Sequence, residues 1–296
     1  MKVLLTGAAG QVGCEVQRAG WPPGTYLIAH SHESLDIGNE SEVTEKIAGP
    51  LDAVINLAAY TAVDRAESEQ DRATLVNAEG PAVLARRCAA LGIPLIHLST
   101  DYIFDGALSS AYSEDQAPAP MNHYGVSKLK GETAVRNCLR EHVIIRTASV
   151  FSEFGSNFVK TMLRLGKERE SLDVVSDQWS CPTAAEDIAA AIVRVVQSIT
   201  DGRQLNIWGT YHFCGQPAVT WFGFAEEIFN VSAECGEATP SLHAIRADQY
   251  PGAARRPRYC ALDTGKIERT FDIEASSWAA RLPQVIPAIL KRRVSE

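Results

Sequence analysis

The sequence predicts an α/β protein built on a doubly wound parallel sheet, and two patterns favour this class. Near-continuous apolar runs, typical of strands covered on both faces, occur five times in the first 150 residues; they read KVLLTG, TYLIAHS, DAVINLAA, PLIHLST and HVIIRTASV. Helical patterning separates them, at about residues 11–20, 40–48, 70–92 and 124–140. Alternation of this kind builds right-handed βαβ units around a parallel sheet.

The pattern loosens after residue 150. Helical stretches such as NFVKTMLRLGKERE and AAEDIAAAIVRVVQSI alternate with short strands such as LDVVSD and TYHFCG, and SSWAARLPQVIPAILKRR follows near the C-terminus. We therefore expect residues 1–150 to form the sheet domain, with later strands and helices returning to it. Residues 151–296 are expected to form mainly a smaller C-terminal α/β lobe, intercalated with that domain.

The composition of the chain argues against several classes of protein. The 296 residues carry a net charge of -8 and only two short cationic runs, which argues against a nucleic-acid partner. No apolar run has the length of a membrane span, and the N-terminus lacks a signal-peptide pattern. Seven scattered cysteines form no zinc spacing, so reduced thiols in a cytoplasmic protein are expected.

A glycine-rich loop follows the first predicted strand. Gly7, Gly10 and Gly13 lead from KVLLT into a helix that starts at Gln11 and Val12. The first glycine permits a tight turn, the second a close approach of a diphosphate, and the third close packing of helix and strand. In this context the loop predicts a Rossmann-type dinucleotide site, with the diphosphate at the helix N-terminus.

The end of the second strand indicates which dinucleotide binds. It reads AHSHES and offers His30, Ser31 and His32 before the first carboxylate, Glu33. A carboxylate at the tip would accept the ribose 2′-hydroxyl of NAD. Its absence favours NADPH, with NADH as the alternative. Asp36 and Ile37 are expected to flank the adenine.

A tyrosine and a lysine lie one helical turn apart in NHYGVSKLKGE. Tyr124 and Lys128 therefore emerge on one face of a helix. A neighbouring cation favours phenolate, so Lys128 is expected to lower the pKa of Tyr124 towards neutrality. That change would make the phenol a general acid/base.

With the glycine loop, this pair resembles the extended short-chain dehydrogenase/reductase superfamily. The motifs NLAAYTAVDRAE, HLSTDYIFDG, YGVSKLKGE and DQWSCPT are together similar to the dTDP-4-dehydrorhamnose reductase family. The resemblance covers nearly the whole chain. It implies NADPH-dependent reduction of the C4 keto group of a nucleotide-activated 4-keto-6-deoxyhexose, most directly dTDP-4-dehydro-L-rhamnose to dTDP-L-rhamnose.

The same resemblance assigns roles to residues. Thr100, at the carboxyl end of PLIHLST, would bridge the C4 oxygen and the Tyr124 phenol, while Lys128 would hold the nicotinamide ribose. The residues after the third strand would lie along the cofactor: Ala58, Ala59, Tyr60 and Thr61. Val63, Asp101 and Tyr102 would contact the sugar nucleotide. Arg256, or its neighbours Arg255 and Arg258, would pair with the diphosphate.

Two departures from the family pattern bear on specificity and assembly. RTASVF has Ser149 where the family places a tryptophan against the sugar, so Trp179 is expected to offer an aromatic face instead. Some members bind magnesium at a dimer contact through three glutamates. Glu15 and Glu186 match two of them, but Lys291 occupies the third position. The sequence therefore predicts no magnesium, and a monomer or a homodimer of another type.

Three other functions compete with this assignment. A 4,6-dehydratase would carry an acid where Tyr102 stands, so the sequence argues against dehydration. A reductase that forms another 4-hydroxyl configuration, such as a talose-forming one, stays open because of Ser149. A non-catalytic NADP-binding regulatory subunit also stays open, although this chain keeps Thr100, Tyr124 and Lys128.

Overall fold

A central parallel sheet of six strands organises the computed structural model, which describes residues 1–202 and 206–293. All neighbouring strands pair in parallel, which confirms the predicted fold class. The strands are β1 (Lys2–Thr6), β2 (Tyr26–His30), β3 (Ala53–Asn56), β4 (Leu95–Thr100), β5 (His142–Thr147) and β10 (Gly209–His212).

The strand order is β10-β5-β4-β3-β1-β2. The chain leaves β1 for β2 on one side and then returns to β3 on the other. Such a reversal opens a crevice at the carboxyl ends of the strands, where open α/β sheets bind their ligands. β10 comes from the second half of the chain and completes the sheet beside β5.

Two helical layers cover this sheet. Alternate residues of a strand point to opposite faces, so Val3 and Leu5 pack with one layer and Leu4 with the other. The first layer contains α1 (Gln11–Arg18), α8 (Ala185–Asp201) and α10 (Gly265–Phe271). The second contains α2 (Glu40–Lys46), α5 (Gly80–Leu91) and α6 (His123–Cys138).

Short helices connect the strands near the crevice. After β3 come α3 (Val63–Ala66), α4 (Gln70–Thr74) and a π-helical turn, Leu75–Glu79, that runs into α5. Single 3-10 turns span Asp101–Ile103 and Ala247–Gln249.

A second apolar core lies outside the central sheet. Phe151, Leu163, Phe224, Ile228 and Leu282 are buried in it. Its helices are α7 (Phe158–Glu168), α9 (Trp221–Glu234) and α11 (Trp278–Arg293). Three strand pairs accompany them: β6 (Val150–Phe151) with β9 (Thr183–Ala184), β7 (Ser171–Val175) with β12 (Ser241–Ile245), and β8 (Trp179–Ser180) with β11 (Val219–Thr220). Within the described ranges, every helix is too short or too polar to cross a bilayer.

Candidate active site

A cavity of about 870 Å³ opens where β1, β3, β4 and β5 end. Its size is that of a pocket for a cofactor-sized ligand. It is lined by the glycine loop at one end and by Thr100, Tyr124 and Lys128 at the other.

The glycine loop has the geometry that a diphosphate needs. Gly7 adopts φ 71°, and a Cβ there would lie 2.6 Å from the Ala58 nitrogen. A Cβ at Gly13 would lie 2.2 Å from the Gly7 oxygen. Gly10 caps α1, and no side chain accepts a hydrogen bond from the first turn. Since Gly10, Gln11, Val12 and Gly13 all line the cavity, the uncapped N–H groups fit a dinucleotide phosphate.

Beyond the end of β2, the residues that line the cavity differ from the prediction at two positions. His32, Leu35, Asp36 and Ile37 line it, whereas His30 and Ser31 do not. The His30 ring contacts the Ser34 hydroxyl at 3.2 Å. The Ser31 carbonyl accepts hydrogen bonds from the main-chain nitrogens of Ser34 and Leu35. His30 and Ser31 therefore make their contacts within the turn after β2, and the next residue, His32, lies at the cavity.

The loop after β3 lines the cavity as expected, with Ala58, Ala59, Tyr60, Thr61 and Val63. The sequence did not predict which side chain holds this loop in place. Asn77, fully buried in the π-helical turn, accepts from the Tyr60 N–H at 2.8 Å and donates to the Tyr60 carbonyl at 3.0 Å. The Asn77 amide also donates to the Ser127 hydroxyl at 3.0 Å. One amide thus ties this loop to α6.

Thr100, Tyr124 and Lys128 are brought together, as predicted. Thr100 ends β4, and its hydroxyl accepts from the Tyr102 N–H at 3.2 Å and donates to Asp101 Oδ1 at 3.0 Å. Tyr124 lines the same cavity, close to this hydroxyl. The Asn122 side chain caps α6 by accepting from the Gly125 N–H at 2.8 Å. This cap fixes where Tyr124 emerges.

The expected lowering of the Tyr124 pKa by Lys128 was wrong. Burial raises the pKa of Tyr124 to about 12, against the lowering by Thr100. The Lys128 ammonium does not contribute; it donates to the Leu98 carbonyl at 2.7 Å. Lys128 is only 2% exposed, and this burial lowers its own pKa to about 8, although Glu132 raises it. Desolvation by burial, and not a neighbouring cation, therefore sets the pKa of the phenol.

Asp101 is a further unusual acid in this cavity. It is 2% exposed, and burial raises the pKa of its carboxyl to about 7. Tyr102 lines the cavity beside it and packs edge-on against the Tyr124 ring, with centroids 6.1 Å apart.

The remaining wall contains predicted and unpredicted residues. Ser149 lines the cavity, but Trp179 does not; it lies in the strand pair β8–β11 and is 42% exposed. Trp221, at the start of α9, lines the cavity instead. Thr147, at the carboxyl end of β5, was also missed, although the strand-end argument that identified Thr100 applies to it equally.

Arg72, another unpredicted lining residue, places its guanidinium 5.8 Å from the centre of the Tyr60 ring. Arg256, which was predicted to bind the diphosphate, does not line the cavity. Its guanidinium is 2.6 Å from Asp64 Oδ2 and donates to the Ala254 carbonyl. Asp64 is an ion-pair partner 192 positions away in the chain, which sequence spacing could not reveal.

The two glutamates that match magnesium ligands of the family do not line this cavity. Glu15 and Glu186 line a second cavity of about 580 Å³ between α1, α8 and α11. Arg281 lies 3.5 Å from Glu186. In the part of the chain that the structure describes, no cluster of three metal-binding side chains occurs.

Comparison with known proteins identifies the family. The model of the RmlD substrate binding domain matches residues 1–290. A dTDP-4-dehydrorhamnose reductase from Sinorhizobium fredii is 39% identical over 292 residues, 98% of each chain.

Solved structures agree with that match. A dTDP-4-dehydrorhamnose reductase from Clostridium acetobutylicum has a TM-score of 0.91 at 33% identity, over 98% of this chain and 100% of that one. One from Bacillus anthracis, in complex with NADP, has a TM-score of 0.89 at 33% identity, over 97% and 98%. The chain therefore belongs to the RmlD substrate binding domain family.

Proposed function

We propose that this protein is an NADPH-dependent oxidoreductase that reduces the C4 keto group of dTDP-4-dehydro-L-rhamnose to give dTDP-L-rhamnose, a step of dTDP-rhamnose biosynthesis. The observation that carries the proposal is the arrangement of Thr100, Tyr124 and Lys128 in one cavity with an uncapped glycine loop. The relatives named as dTDP-4-dehydrorhamnose reductases support the choice of sugar.

The cofactor is held along the cavity by this chain's own groups. The first-turn N–H groups after Gly10 would hold the cofactor diphosphate, and Asp36 and Ile37 would flank the adenine. The His32 ring, in place of a carboxylate at the strand end, favours NADPH over NADH. Ala58 to Thr61 would line the path of the dinucleotide, and Lys128 would hold the nicotinamide ribose. When bound, NADPH supplies the hydride that reduces C4.

Tyr124 supplies the proton. Its phenol donates to the oxygen that develops negative charge at C4, and Thr100 donates a second hydrogen bond to that oxygen. For this, the Thr100 hydroxyl turns from Asp101 Oδ1, 3.0 Å away, towards the substrate. Enclosure of these groups strengthens each of these interactions.

The sugar nucleotide occupies the rest of the cavity. Val63, Asp101, Tyr102 and Ser149 contact the hexose. Arg256 reaches the diphosphate only by leaving Asp64, its present partner at 2.6 Å. A diphosphate offers the guanidinium the same bidentate geometry as the carboxylate.

The division of the chain follows from the same proposal. Residues 1–150 bind NADP, and β10 and α8 return to that domain. Residues 151–296, of which 203–205 and 294–296 lie outside the described residues, form mainly the substrate lobe. We also propose a cytoplasmic monomer or homodimer without magnesium or nucleic-acid partners, since Lys291 replaces an acidic ligand and the net charge is -8.

The test is direct. The purified protein is incubated with NADPH and a panel of 4-keto-6-deoxy nucleotide sugars; loss of the NADPH absorbance is followed and products are identified by NMR. Consumption of dTDP-4-dehydro-L-rhamnose with formation of dTDP-L-rhamnose is expected. Binding of NADPH without turnover of any keto sugar would overturn the enzymatic proposal and favour a regulatory subunit.

Reduction of another 4-keto-6-deoxyhexose, for example to a talose configuration, is the second candidate. The observation that favours it is Ser149 in the cavity wall, because a serine holds a sugar differently from the indole expected there. A taloside product in the NMR spectrum would select this candidate.

A further inference from the structure

Two threonines stand side by side in the cavity. Thr100 of β4 and Thr147 of β5 are register partners at the ends of neighbouring parallel strands, so their main chains are about 4.8 Å apart. Register partners in a sheet face the same side, and both residues line the cavity. Thr147 has no part in the proton transfer proposed above.

The Thr147 hydroxyl is buried and unused. Thr147 is 5% exposed, and its Oγ1 has no hydrogen-bond partner among the residues that the structure describes. A buried hydroxyl without a partner costs free energy. A ligand hydroxyl in the cavity would remove that cost, because a threonine hydroxyl both donates and accepts.

Ser149 adds a second hydroxyl to the same wall. Its backbone adopts φ 45°, a left-handed conformation that is unfavourable for residues other than glycine. Its Oγ lies 2.5 Å from Oγ of Ser180, which is 6% exposed and does not line the cavity. When Ser180 donates this bond, the Ser149 proton is left for a ligand.

We infer that Thr147 and Ser149 bind the C3 hydroxyl of the keto sugar and select for substrates that carry it. This rests on the proposed function, which places the C4 oxygen at Thr100. In this inference the hydroxyl on the adjacent carbon C3 lies on the β5 side of the C4 oxygen, next to Thr147. The substrate class is therefore a 4-keto hexose with a free 3-hydroxyl, and 3-deoxy analogues are rejected.

The test compares two substrates in three proteins. kcat/KM is measured with NADPH for the 4-keto-6-deoxy sugar nucleotide and for its 3-deoxy analogue, in the parent, Thr147→Val and Thr147→Ser. The parent is expected to prefer the 3-hydroxy sugar by roughly 10-fold to 100-fold, the effect of leaving a buried hydroxyl unpaired. Thr147→Val collapses this ratio towards one, and Thr147→Ser restores most of it.

A parent ratio near one, or a ratio that Thr147→Val leaves unchanged, would overturn the inference. Ser149→Ala is expected to give an intermediate ratio. Thr133→Val, which makes the same chemical change on the exposed face of α6, is the matched control and keeps the parent ratio. Thermal unfolding shows which variants are folded.

A binding measurement separates this inference from the proposed function. Calorimetry with NADP⁺ present compares the reduced 6-deoxy sugar nucleotide with its 3-deoxy counterpart. If the parent reduces no keto sugar but still discriminates between these two, and Thr147→Val does not, only the proposed reaction fails. If the parent and Thr147→Val each bind the two ligands with equal affinity, the Thr147 site is refuted even when turnover is normal.

Discussion

Gly125 directly follows the proposed proton donor, and Gly125→Ala should disable the enzyme through geometry. A Cβ at this position would lie 2.1 Å from the Tyr102 carbonyl oxygen and 3.0 Å from Pro120 Cβ. Ordinary van der Waals contact begins at 3.4 Å. The obstacle is main chain that leads directly back to Thr100, so α6 has to move away by roughly 1 Å.

This movement would separate Tyr124 from Thr100. A displacement of about 1 Å at a reacting group costs roughly 100-fold in rate. Overpacking should also lower the unfolding free energy by about 1–3 kcal/mol. We therefore expect kcat to fall by about two orders of magnitude, measured from NADPH absorbance at saturating substrate, with a lower melting temperature.

A matched variant separates rate from stability. Gly215→Ala would also place a Cβ close to a carbonyl oxygen, at 2.0 Å from that of Pro182. It should lose similar stability and much less kcat, because neither residue lines the cavity. Gly20→Ala, with nothing within 4 Å of its Cβ, should behave as the parent. An undiminished kcat in Gly125→Ala would refute the reasoning.

Three further predictions follow from the buried charges and the strained backbone. The pKa of Lys128 is lowered to about 8, so kcat/KM of the parent should fall as pH rises through about 8 and the ammonium loses its proton; a flat profile to pH 10 would contradict this. Glu132→Gln should cost about 3–5 kcal/mol in urea unfolding, because Arg146, 3% exposed and 2.8 Å from the carboxylate, would be left unpaired. The same variant should move the alkaline limb to lower pH, since Glu132 raises the pKa of Lys128. Ser149→Ala should be less stable than Ser149→Gly by roughly 1 kcal/mol, because only glycine tolerates φ 45° without strain; equal melting temperatures would contradict it.

The sequence predicted those features that depend on local pattern. Apolar runs located five strands of the sheet, and the spacing of Gly7, Gly10 and Gly13 located the cofactor loop because turn geometry restricts these positions to glycine. Tyr124 and Lys128 were found because one helical turn relates them.

Features that depend on distant contacts were not predictable in this way. The pKa of Tyr124 is set mainly by burial, and the Lys128 ammonium donates to the Leu98 carbonyl, 30 positions away in the chain. Arg256 pairs with Asp64, which lies 192 positions earlier in the sequence. The choice between His30 and His32 depends on how Ser34 closes the turn.

The sheet is completed out of sequence order. β5 ends at Thr147, but the strand that covers its edge, β10, begins only at Gly209. During synthesis on a ribosome, the edge of β5 therefore emerges long before its cover exists. An open strand edge is a template for pairing with other chains. A gene fragment that stops near codon 150 should consequently yield self-associating material, because the first half of the protein depends on the second half to cover this edge while it folds.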